Sequence, residues 1–338
     1  MSIFRENVSL KSYNTFGIEV KARYFVAVAN EAELQAVFAD PLAKTQKLLV
    51  MGGGSNMLFT HDFDGLVVKM DIQGISHEIA GDTVSVSAGG GVVWNDLVNY
   101  CVSHGFAGLE NLSLIPGTVG ASPIQNIGAY GVELKDVFAW CNAFEIATGQ
   151  IKTFSYADCA FSYRDSVFKN ALKGQYIITQ VGFNLSQTAQ LHTHYGAINA
   201  ELEKRNIVDP SIADVSAVVS HIRVSKLPDP KTIGNAGSFF KNPVIEPEQF
   251  EGLVQKFPEV VHYPVAAGKI KLAAGWLIEQ CGFKGMVVGR TGTWKNQALV
   301  LVNHGGASGQ EVYNFSEQII QTVQAKFGVV LEREVNIL

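Results

Sequence analysis

The stretch Val50-Met51-Gly52-Gly53-Gly54-Ser55-Asn56 runs from an apolar segment directly into a turn of small residues. A second stretch of the same character is Ile115-Pro116-Gly117-Thr118-Val119-Gly120. Backbone N–H groups in such turns point outward, and no side chain blocks an approaching anion. Two such loops in one chain predict a site for the pyrophosphate of a dinucleotide, although a single glycine run is also compatible with a plain tight turn. The first loop lacks the G-x-G-x-x-G spacing, which argues against a nicotinamide-binding Rossmann domain.

Length and composition predict a globular protein of two or three domains. The chain has 338 residues, which exceeds the size at which one hydrophobic core usually stops growing. Hydrophobic residues make up 47% of it and charged residues 17%, so there is ample material for a core. The net charge is −5, and the lysines and arginines form no basic run. The chain therefore lacks the basic patch that is typical of nucleic-acid-binding proteins.

The sequence also predicts a cytoplasmic location. The first residues, 1–7, have no apolar segment typical of a signal peptide, and no uncharged apolar stretch is long enough to span a membrane. The four cysteines are far apart and show no C-x-x-C pattern. We therefore expect buried, reduced thiols.

Hydrophobic periodicity predicts an alternation of helices and strands. We expect helices over 31–40, 92–104, 212–224, 271–281 and 310–327. We expect strands over 47–51, 66–70, 83–88, 176–185, 298–303 and 329–338, with a hairpin formed by 138–146 and 150–154. The polar segment 187–203 is interpreted as a mobile surface loop, and the Leu227-Pro228-Asp229-Pro230 break as a domain boundary.

Two polar residues stand where packing alone does not require them. Arg164 lies between Tyr163 and Asp165, and a structural ion pair or a clamp for an anion or enolate would both suit a guanidinium. From that segment alone a structural role is favoured. Ser238 follows Asn235-Ala236-Gly237. No G-x-S-x-G elbow accompanies it, so a hydroxyl that donates a proton or hydrogen bond fits better than a nucleophile.

Two glutamates and two histidines are further candidates, and each pair also has a plain structural interpretation. Glu332 and Glu334 are two residues apart on the predicted last strand and therefore share a side. They fit an exposed edge strand, or a site where the carboxylates have partners. His192 and His194 lack a third ligand, and no metal site is predicted.

Taken together and in this order, the motifs resemble the UDP-N-acetylenolpyruvoylglucosamine reductases, the MurB family of flavoenzymes in peptidoglycan precursor synthesis. The resemblance runs from Asn14-Thr15-Phe16-Gly17 to Glu332-Arg333-Glu334-Val335, nearly the whole chain. The motifs between these ends are Gly52 to Asn56, Ile115 to Ala121, Gln125-Asn126-Ile127-Gly128-Ala129-Tyr130-Gly131, Tyr163 to Ser166, Lys226-Leu227-Pro228, Gly237-Ser238-Phe239-Phe240-Lys241-Asn242-Pro243 and Ala274-Gly275-Trp276-Leu277-Ile278-Glu279.

The resemblance implies an α+β fold of the vanillyl-alcohol-oxidase (PCMH) type, with two FAD-binding subdomains and a third, α+β substrate-binding domain. Residues 1–70 would form the first subdomain, joined by the C-terminal strand 329–338. Residues 71–226 would form the second subdomain and 227–328 the substrate-binding domain. The implied cofactor is noncovalent FAD, the implied electron donor is NADPH, and a monomer is expected. His194-Tyr195-Gly196 matches the family type whose loop carries a substrate-contacting tyrosine.

The implied reaction is reduction of UDP-N-acetylglucosamine enolpyruvate to UDP-N-acetylmuramate. Hydride would pass from flavin N5 to the enolpyruvyl methylene carbon, which leaves an enolate-like charge on the neighbouring atoms. By resemblance Ser238 is the proton donor, and Arg164 and Glu334 flank the carboxylate. Glu334 would then be protonated or bridged by a proton, so its pKa should be raised in the complex.

The resemblance also implies two groups of binding residues. Those for FAD are Gly52, Gly53, Gly54, Ser55, Asn56, Pro116, Gly117, Ser122, Gln125, Asn126, Gly128, Ala129 and Arg164. Those for the UDP-sugar are Tyr195, Lys226, Asn242, Tyr263 and Gln297, with Lys226 and Tyr195 expected at the diphosphate.

One position departs from the family pattern. Between the two terminal glutamates the family often has proline, and here the residue is Arg333. Its side chain should point away from both glutamates, so we expect little effect on the chemistry. Two other functions compete with the reductase: an oxidase of the same flavin-binding superfamily that uses oxygen, and a UDP-sugar or nucleotide-binding module without redox activity. No histidine or cysteine stands in an obvious flavin-tethering context, and a pure binder needs no proton donor.

Overall fold

The computed structural model describes residues 3–265 and 268–338. Met1 and Ser2, within the segment predicted not to be a signal peptide, lie outside the described residues, as do Ala266 and Ala267. By its internal contacts the chain divides into two compact units. The first unit comprises Met1–Val8, Ala22–Gly53 and Asp64–Arg223, and the second unit comprises Ser9–Lys21, Gly54–Phe63 and Val224–Leu338. The division into three domains stays a prediction.

The strands and helices are distributed along the whole described chain. The strands are Arg5–Ser9, Lys21–Val28, Leu48–Met51, Met57–Leu58, Phe63–Met70, Ile75–Ala80, Thr83–Gly89, Gly128–Ala129, Val132–Glu133, Phe138–Glu145, Ile151–Ser155, Tyr176–Ser186, Gly234–Ser238, Val244–Ile245, His262–Pro264, Ile270–Leu272, Val287–Val288, Thr291–Trp294, Gln297–Asn303 and Asn336–Ile337. The α-helices are Glu31–Ala39, Pro41–Thr45, Trp94–Ser103, Tyr156–Cys159, Ile198–Lys204, Ile212–Lys226, Pro247–Lys256, Ala274–Gln280 and Gly309–Phe327. Short 3-10 helices are Lys11–Tyr13, Glu110–Leu112, Val119–Ala121 and Leu134–Asp136.

The first unit is built on two main sheets. In the four-stranded sheet, Leu48–Met51 runs parallel to Phe63–Met70, so the first glycine loop begins at the carboxyl end of a parallel strand. The five-stranded sheet is antiparallel and has Tyr176–Ser186 at its centre. Its strand Thr83–Gly89 buries Val84, Val86 and Ala88 and turns the alternate residues outward, as a sheet with one covered face requires.

The second unit combines a four-stranded antiparallel sheet, a three-stranded sheet and the helix Gly309–Phe327. That helix begins at Ser308, which forms a reciprocal capping box with Glu311, and ends at Gly328 in the left-handed region. Asn336–Ile337 pairs in parallel with Met57–Leu58, so segments from both ends of the chain share one unit.

Most strongly periodic elements are confirmed within one or two residues, including the hairpin of Phe138–Glu145 and Ile151–Ser155. Three predictions were wrong in part. The segment 187–203, predicted to be a loop, contains all of the helix Ile198–Lys204 except its last residue, and the apolar residues Ile198 and Leu202 of this helix are buried. The helix predicted over 271–281 begins only at Ala274, because 270–272 pair as a strand with Val244–Ile245 and His262–Pro264.

The strand predicted over 329–338 is also mostly absent. Within the described residues of that segment, only Asn336–Ile337 forms a regular strand, and Arg333 makes an isolated antiparallel bridge with Phe240. Of the four cysteines expected to be buried, Cys101, Cys141 and Cys159 are buried, whereas Cys281 is only partly buried. Among the residues that the structure describes, no helix has the length and apolar character needed to cross a membrane.

Trp94 provides a test of the core of the first unit. The side chain is buried, its Nε1 donates a 2.9 Å hydrogen bond to the carbonyl of Leu112, and its ring packs edge-on to Phe183. Trp94→Phe leaves that carbonyl without its donor and removes ring volume, so we expect the free energy of unfolding to fall by about 2 kcal/mol. Chemical denaturation followed by circular dichroism measures the change.

Trp294→Phe is the matched control. Nε1 of Trp294 is buried and has no hydrogen-bond partner in the described part of the chain. Its replacement therefore removes no hydrogen bond, and the expected loss is about 1 kcal/mol or less. Equal losses in the two variants would mean that the Trp94 hydrogen bond contributes nothing to stability.

Candidate active site

The two glycine loops touch in the first unit. A Cβ added at Gly52 would lie 2.1 Å from Oγ1 of Thr118, and one added at Gly53 would lie 3.3 Å from Cα of Gly117. A side chain at 52 would therefore collide with the second loop, and one at 53 would be in tight contact with its backbone. The contact exists only because both residues are glycine, and it brings together the two backbone segments that the sequence predicts to face a pyrophosphate.

Backbone hydrogen bonds fix the second loop. Val119 N donates to Val92 O and Gly120 N donates to Gly90 O, both at 2.9 Å. Trp94 N donates to Gly117 O at 3.0 Å. These hydrogen bonds hold the second loop in one conformation along its length. Its backbone can therefore bind a ligand without first having to become ordered. Pro116, also predicted at the cofactor, lies exposed beside it.

Two polar residues predicted at the cofactor support the loop rather than offering free side-chain atoms. The buried Ser122 hydroxyl donates to Val119 O at 2.7 Å. The Asn126 amide donates to the Glu133 carboxylate and to Ser162 O, and its oxygen accepts from Lys135 N. Gln125 is half-buried.

Arg164 lies against the neighbouring strand Gly128–Ala129. Its Nη2 donates a 2.6 Å hydrogen bond to Gly128 O, and its guanidinium lies 5.4 Å from the centre of the Tyr163 ring. Its own backbone has φ of 56°, a left-handed conformation uncommon for a residue with a side chain. These contacts place a half-buried positive charge at the strand where the resemblance puts the flavin.

Arg223 was missed in the sequence. Its Nε is buried without a hydrogen-bond partner in the described residues. Burial lowers the pKa of Arg223, Tyr130 opposes this, and the charge of Arg164 adds to it. Two guanidinium groups and a tyrosine whose pKa is raised by burial therefore lie near one another in the first unit. The only sequence signal was an arginine beside the buried positions of a helix.

Tyr195 is half-exposed, and its side chain rests on Gly131. A Cβ added at Gly131 would lie 3.2 Å from Cβ of Tyr195. Asn111 connects the same two segments, because its amide donates to Tyr130 O and to His192 O. The tyrosine loop is thus seated on the turn that follows Gly128–Ala129. No group of three or more His, Cys, Asp or Glu that could hold a metal ion occurs within 3–265 and 268–338.

In the second unit, Gly54 and Asn56 of the first glycine loop form hydrogen bonds with residues near the start and near the end of the chain. Thr15 N donates to Gly54 O at 3.1 Å. The Asn56 amide donates to Glu334 O at 3.3 Å, and Asn336 N donates to Asn56 O at 3.1 Å. The Gly54-Ser55-Asn56 segment is therefore hydrogen-bonded directly to the residues around Glu334.

Ser238 ends a bulged strand. The pairing of Gly234–Ser238 with Gln297–Asn303 shifts register between Asn235 and Ser238. Gly237 has φ of 69°, and its N–H donates to the buried Oδ1 of Asn235. A residue with a side chain would be strained at 237. The bulge turns Ser238, which is half-buried, away from the regular direction of the strand.

The C-terminal segment pairs with the residues that follow Ser238. Glu334 N donates to Phe239 O at 2.9 Å, and Lys241 N donates to Glu332 O at 2.8 Å. Ser238 and Glu334 therefore lie on two directly paired backbone segments. The Glu332 carboxylate is mostly exposed and forms an ion pair with Lys241, which supports Glu334 as the glutamate of the site.

Three predicted substrate residues surround residues 271–275. Asn242 Oδ1 accepts from Ala274 N, Tyr263 pairs with Lys271, and a Cβ at Gly275 would lie 2.8 Å from Oε1 of Gln297. Lys226 is exposed at the end of its helix, and the adjacent Ser225 O accepts from Asn296. The structure thus groups these four residues within the second unit, whereas Tyr195 belongs to the first.

Comparison with known proteins agrees with this geometry. Residues 22–155, which contain both glycine loops, match the family described as FAD binding domain. Residues 229–338, which contain Ser238 and Glu334, match the family described as UDP-N-acetylenolpyruvoylglucosamine reductase, C-terminal domain. The chain is a flavin-dependent oxidoreductase.

Full-length relatives define the family. The chain is 50% identical over 338 residues to the UDP-N-acetylenolpyruvoylglucosamine reductase of Flavobacterium johnsoniae, with 99% of each chain covered. It is 48% identical over 336 residues to the protein of the same name from Pseudomonas aeruginosa, with 98% of each covered. The chain therefore belongs to the UDP-N-acetylenolpyruvoylglucosamine reductase family, and the predicted resemblance is confirmed.

The fold is confirmed as well. The crystal structure of UDP-N-acetylenolpyruvylglucosamine reductase (MurB) from Thermus caldophilus superimposes with a TM-score of 0.68, at 24% identity and with 99% of each chain covered. Together with the FAD-binding match, this bears out the predicted FAD-binding α+β fold and FAD as the cofactor. That the FAD is held noncovalently stays a prediction.

Gly52→Ala tests whether the close contact between the two glycine loops is needed for FAD to bind. The added Cβ would push Thr118 and the second loop, so we expect FAD to bind at least about 10-fold more weakly, a loss of about 1.4 kcal/mol. Quenching of flavin fluorescence on titration into apoprotein measures the affinity. Gly252→Ala is the control, because a Cβ there meets no atom within 4 Å. Unchanged FAD affinity in Gly52→Ala would contradict the assignment of this loop.

Proposed function

We propose that the chain reduces the enolpyruvyl ether of UDP-N-acetylglucosamine to UDP-N-acetylmuramate with electrons from NADPH, and that Ser238, Glu334 and Arg164 carry the chemistry. The main support is the backbone pairing of Glu334 with Phe239, which sets the glutamate beside the segment that begins at Ser238. The full-length relatives carry the name of this reductase.

The glycine loops fit the cofactor of this reaction. A Cβ would clash with the second loop at Gly52 and would contact it tightly at Gly53, and hydrogen bonds already hold that loop in place. The residues proposed to bind the dinucleotide are Gly54, Ser55, Asn56, Gly117, Gly128 and Ala129. When bound, FAD reduced by NADPH supplies the hydride that is added to the enolpyruvyl methylene carbon.

Arg164 and Ser238 act on the carbon next to the substrate carboxylate: Arg164 stabilises the charge that develops there, and Ser238 protonates the carbon. Hydride addition leaves negative charge that spreads into the carboxylate, and a guanidinium stays charged at any working pH. Arg164 therefore stabilises this charge, and its hydrogen bond to Gly128 O holds it in place before reaction. Ser238 donates its hydroxyl proton to the carbon, and the bulge at Gly237 orients it.

Glu334 lies beside a developing anion and therefore acts as the protonated acid. A charged carboxylate there would repel the substrate carboxylate, whereas the neutral acid can donate a hydrogen bond to it. Lys226 and Tyr195 bind the diphosphate, and Asn242, Tyr263 and Gln297 bind the rest of the UDP-sugar. We propose that the enzyme acts in the cytoplasm as a monomer, on a small-molecule substrate and without nucleic acid or membrane.

Ser238→Ala and Glu334→Gln separate the two half-reactions. In an anaerobic cuvette, NADPH should bleach the flavin of both variants at the rate of the unmodified enzyme. Reoxidation by UDP-N-acetylglucosamine enolpyruvate should be slowed about 10²–10³-fold, because each variant lacks a group that acts only in that step. Stopped-flow absorbance measures both rates.

Glu332→Gln is the matched control, because Glu332 is exposed and pairs with Lys241. It should reoxidise at the rate of the unmodified enzyme. Normal turnover in Ser238→Ala would refute its role as proton donor. A flavin that bleaches in the unmodified protein but is reoxidised by oxygen and not by the enolpyruvyl sugar would favour an oxidase.

We also propose that Arg223 binds an anionic group of FAD or of the substrate. Its buried Nε has no hydrogen-bond partner in the described residues, and a buried donor of this kind is costly unless a ligand satisfies it. The neighbouring Arg164 makes an anion more favourable still, because two close guanidinium groups repel each other.

Arg223→Met should weaken one of these two ligands by about 10–100-fold, the expected loss for a charged hydrogen bond. Quenching of flavin fluorescence gives the affinity for FAD, and the shift of the flavin spectrum gives the affinity for the enolpyruvyl sugar. The ligand that weakens identifies the anion. Arg205→Met is the control, because Arg205 directly follows the helix Ile198–Lys204 and forms an ion pair with Glu201 of that helix. Unchanged affinity for both ligands would exclude the role.

A further inference from the structure

We propose that Arg333 is a positioning residue for Glu334: it sets the register in which the C-terminal segment pairs with Phe239–Lys241. The inference rests on the role proposed above for Glu334. Within the described residues of 329–335, the pairing with this segment consists of a single bridge, Phe240 to Arg333, with a hydrogen bond on either side. The register of residues 332–334 against 239–241 therefore depends on further contacts. The Asn56 amide donates to Glu334 O, Asn336–Ile337 pairs with Met57–Leu58, and the side chains of 329–335 add to these.

Burial alternates along the segment. Val329, Leu331 and Val335 are buried, whereas Val330 and Glu332 are exposed. Arg333 has the same parity as the buried residues and stands in the place of an apolar side chain. Its side chain thus points away from Glu332 and Glu334, as the sequence predicted.

Arg333 is held by three neighbouring residues of the helix Gly309–Phe327. Its Nε donates a 2.8 Å hydrogen bond to Oγ of the buried Ser316, and its Nη2 lies 2.5 Å from the carboxylate of Glu317. Its guanidinium also lies 4.5 Å from the centre of the Tyr313 ring. Few geometries satisfy all three contacts at once, because the guanidinium is planar.

These contacts distinguish registers that the apolar residues alone permit. A slip of two residues would keep valine and leucine side chains facing inward. The same slip would move the guanidinium into a position now filled by Leu331 or Val335, without the partners on the helix. Burying an unpaired charge is strongly unfavourable, so Arg333 excludes these registers, as single buried polar residues do in coiled coils. Glu334 is the residue that a slip would displace.

This changes the expectation from the sequence. A side chain that points away from both glutamates was expected to have little effect on the chemistry. The contacts of Arg333 with the helix instead fix the backbone of the neighbouring Glu334. The hydrogen bond from Glu334 N–H to Phe239 O then fixes Glu334 relative to the segment that contains Ser238. Arg333 acts through Glu334 and contacts no reacting atom.

Arg333→Met is the test, because methionine keeps an unbranched apolar side chain like the stem of arginine but removes the three contacts of the guanidinium. We expect FAD affinity and flavin reduction by NADPH to stay unchanged. Reoxidation by UDP-N-acetylglucosamine enolpyruvate should be slowed about 10–100-fold, since a displacement of about 1 Å at a reacting group has effects of that order. Arg290→Met, which removes an exposed guanidinium of the same unit, is the control and should leave reoxidation unchanged.

The double variant Arg333→Met, Glu334→Gln separates positioning from general loosening. If Arg333 acts through Glu334, the double variant should reoxidise within about threefold of Glu334→Gln alone, because the group to be positioned is already gone. Multiplied losses, or full activity of Arg333→Met, would overturn the proposal. Should Arg333→Met fail to fold, Ser316→Ala with Glu317→Gln removes two of the anchors and must slow the same step.

The outcomes also separate this inference from the function on which it rests. If Glu334→Gln reoxidises at the normal rate, the role of Glu334 is wrong and the positioning role falls with it. If Glu334→Gln is slow but Arg333→Met is not, the proposed function stands and only the role of Arg333 is wrong.

Discussion

The second unit depends on one short pairing of backbone, in which residues 332–334 lie against 239–241. It joins segments about 90 residues apart, and each side is anchored independently. Phe239 and Phe240 are fully buried, and Phe239 packs edge-on to Phe16 of the Asn14-Thr15-Phe16-Gly17 motif. The other side is anchored by buried apolar residues and by Arg333. Because both sides are fixed, Ser238, the proposed proton donor, and the carboxyl group of Glu334 can have a defined relation without lying in a regular sheet.

Buried asparagines hold irregular segments in each of the two units. Asn14 donates to Leu10 O and Ile18 O, and Asn303 donates to Phe16 O and accepts from the loop that follows it. Asn126 and Asn235 make comparable sets of hydrogen bonds to loop backbone. An amide side chain offers both donors and an acceptor, so it can replace the missing neighbour of a backbone segment that belongs to no sheet. Glycine turns can then be rigid although they contain almost no side chains.

The sequence predicted those parts of the structure that follow from local patterns. The alternation in Thr83–Gly89 and the apolar spacing in Trp94–Ser103 identify a strand and a helix without further information. Residues 270–272 were misassigned because their strand pairing depends on distant partners, at 244–245 and 262–264. The close approach of Gly52 to Thr118 agrees with the predicted pairing of the two loops, although their distance could not be known from the sequence. The role of Arg223 could not be predicted from the sequence either, because the burial of its Nε depends on tertiary packing and leaves no local sequence pattern.

The discontinuity of the second unit has a consequence for biosynthesis. Asn336 donates a hydrogen bond to Asn56 across 280 residues, and the early segments Ser9–Lys21 and Gly54–Phe63 find most of their partners after residue 224. Closing contacts of such long range is slow. Leu58 and Phe59 are fully buried in the folded protein. During synthesis on the ribosome they stay exposed to solvent until the residues after 224, with which they pack, have been made. We therefore expect the Glu334 segment to be among the last parts of the enzyme to assemble, and the nascent chain to need protection at these early segments until then.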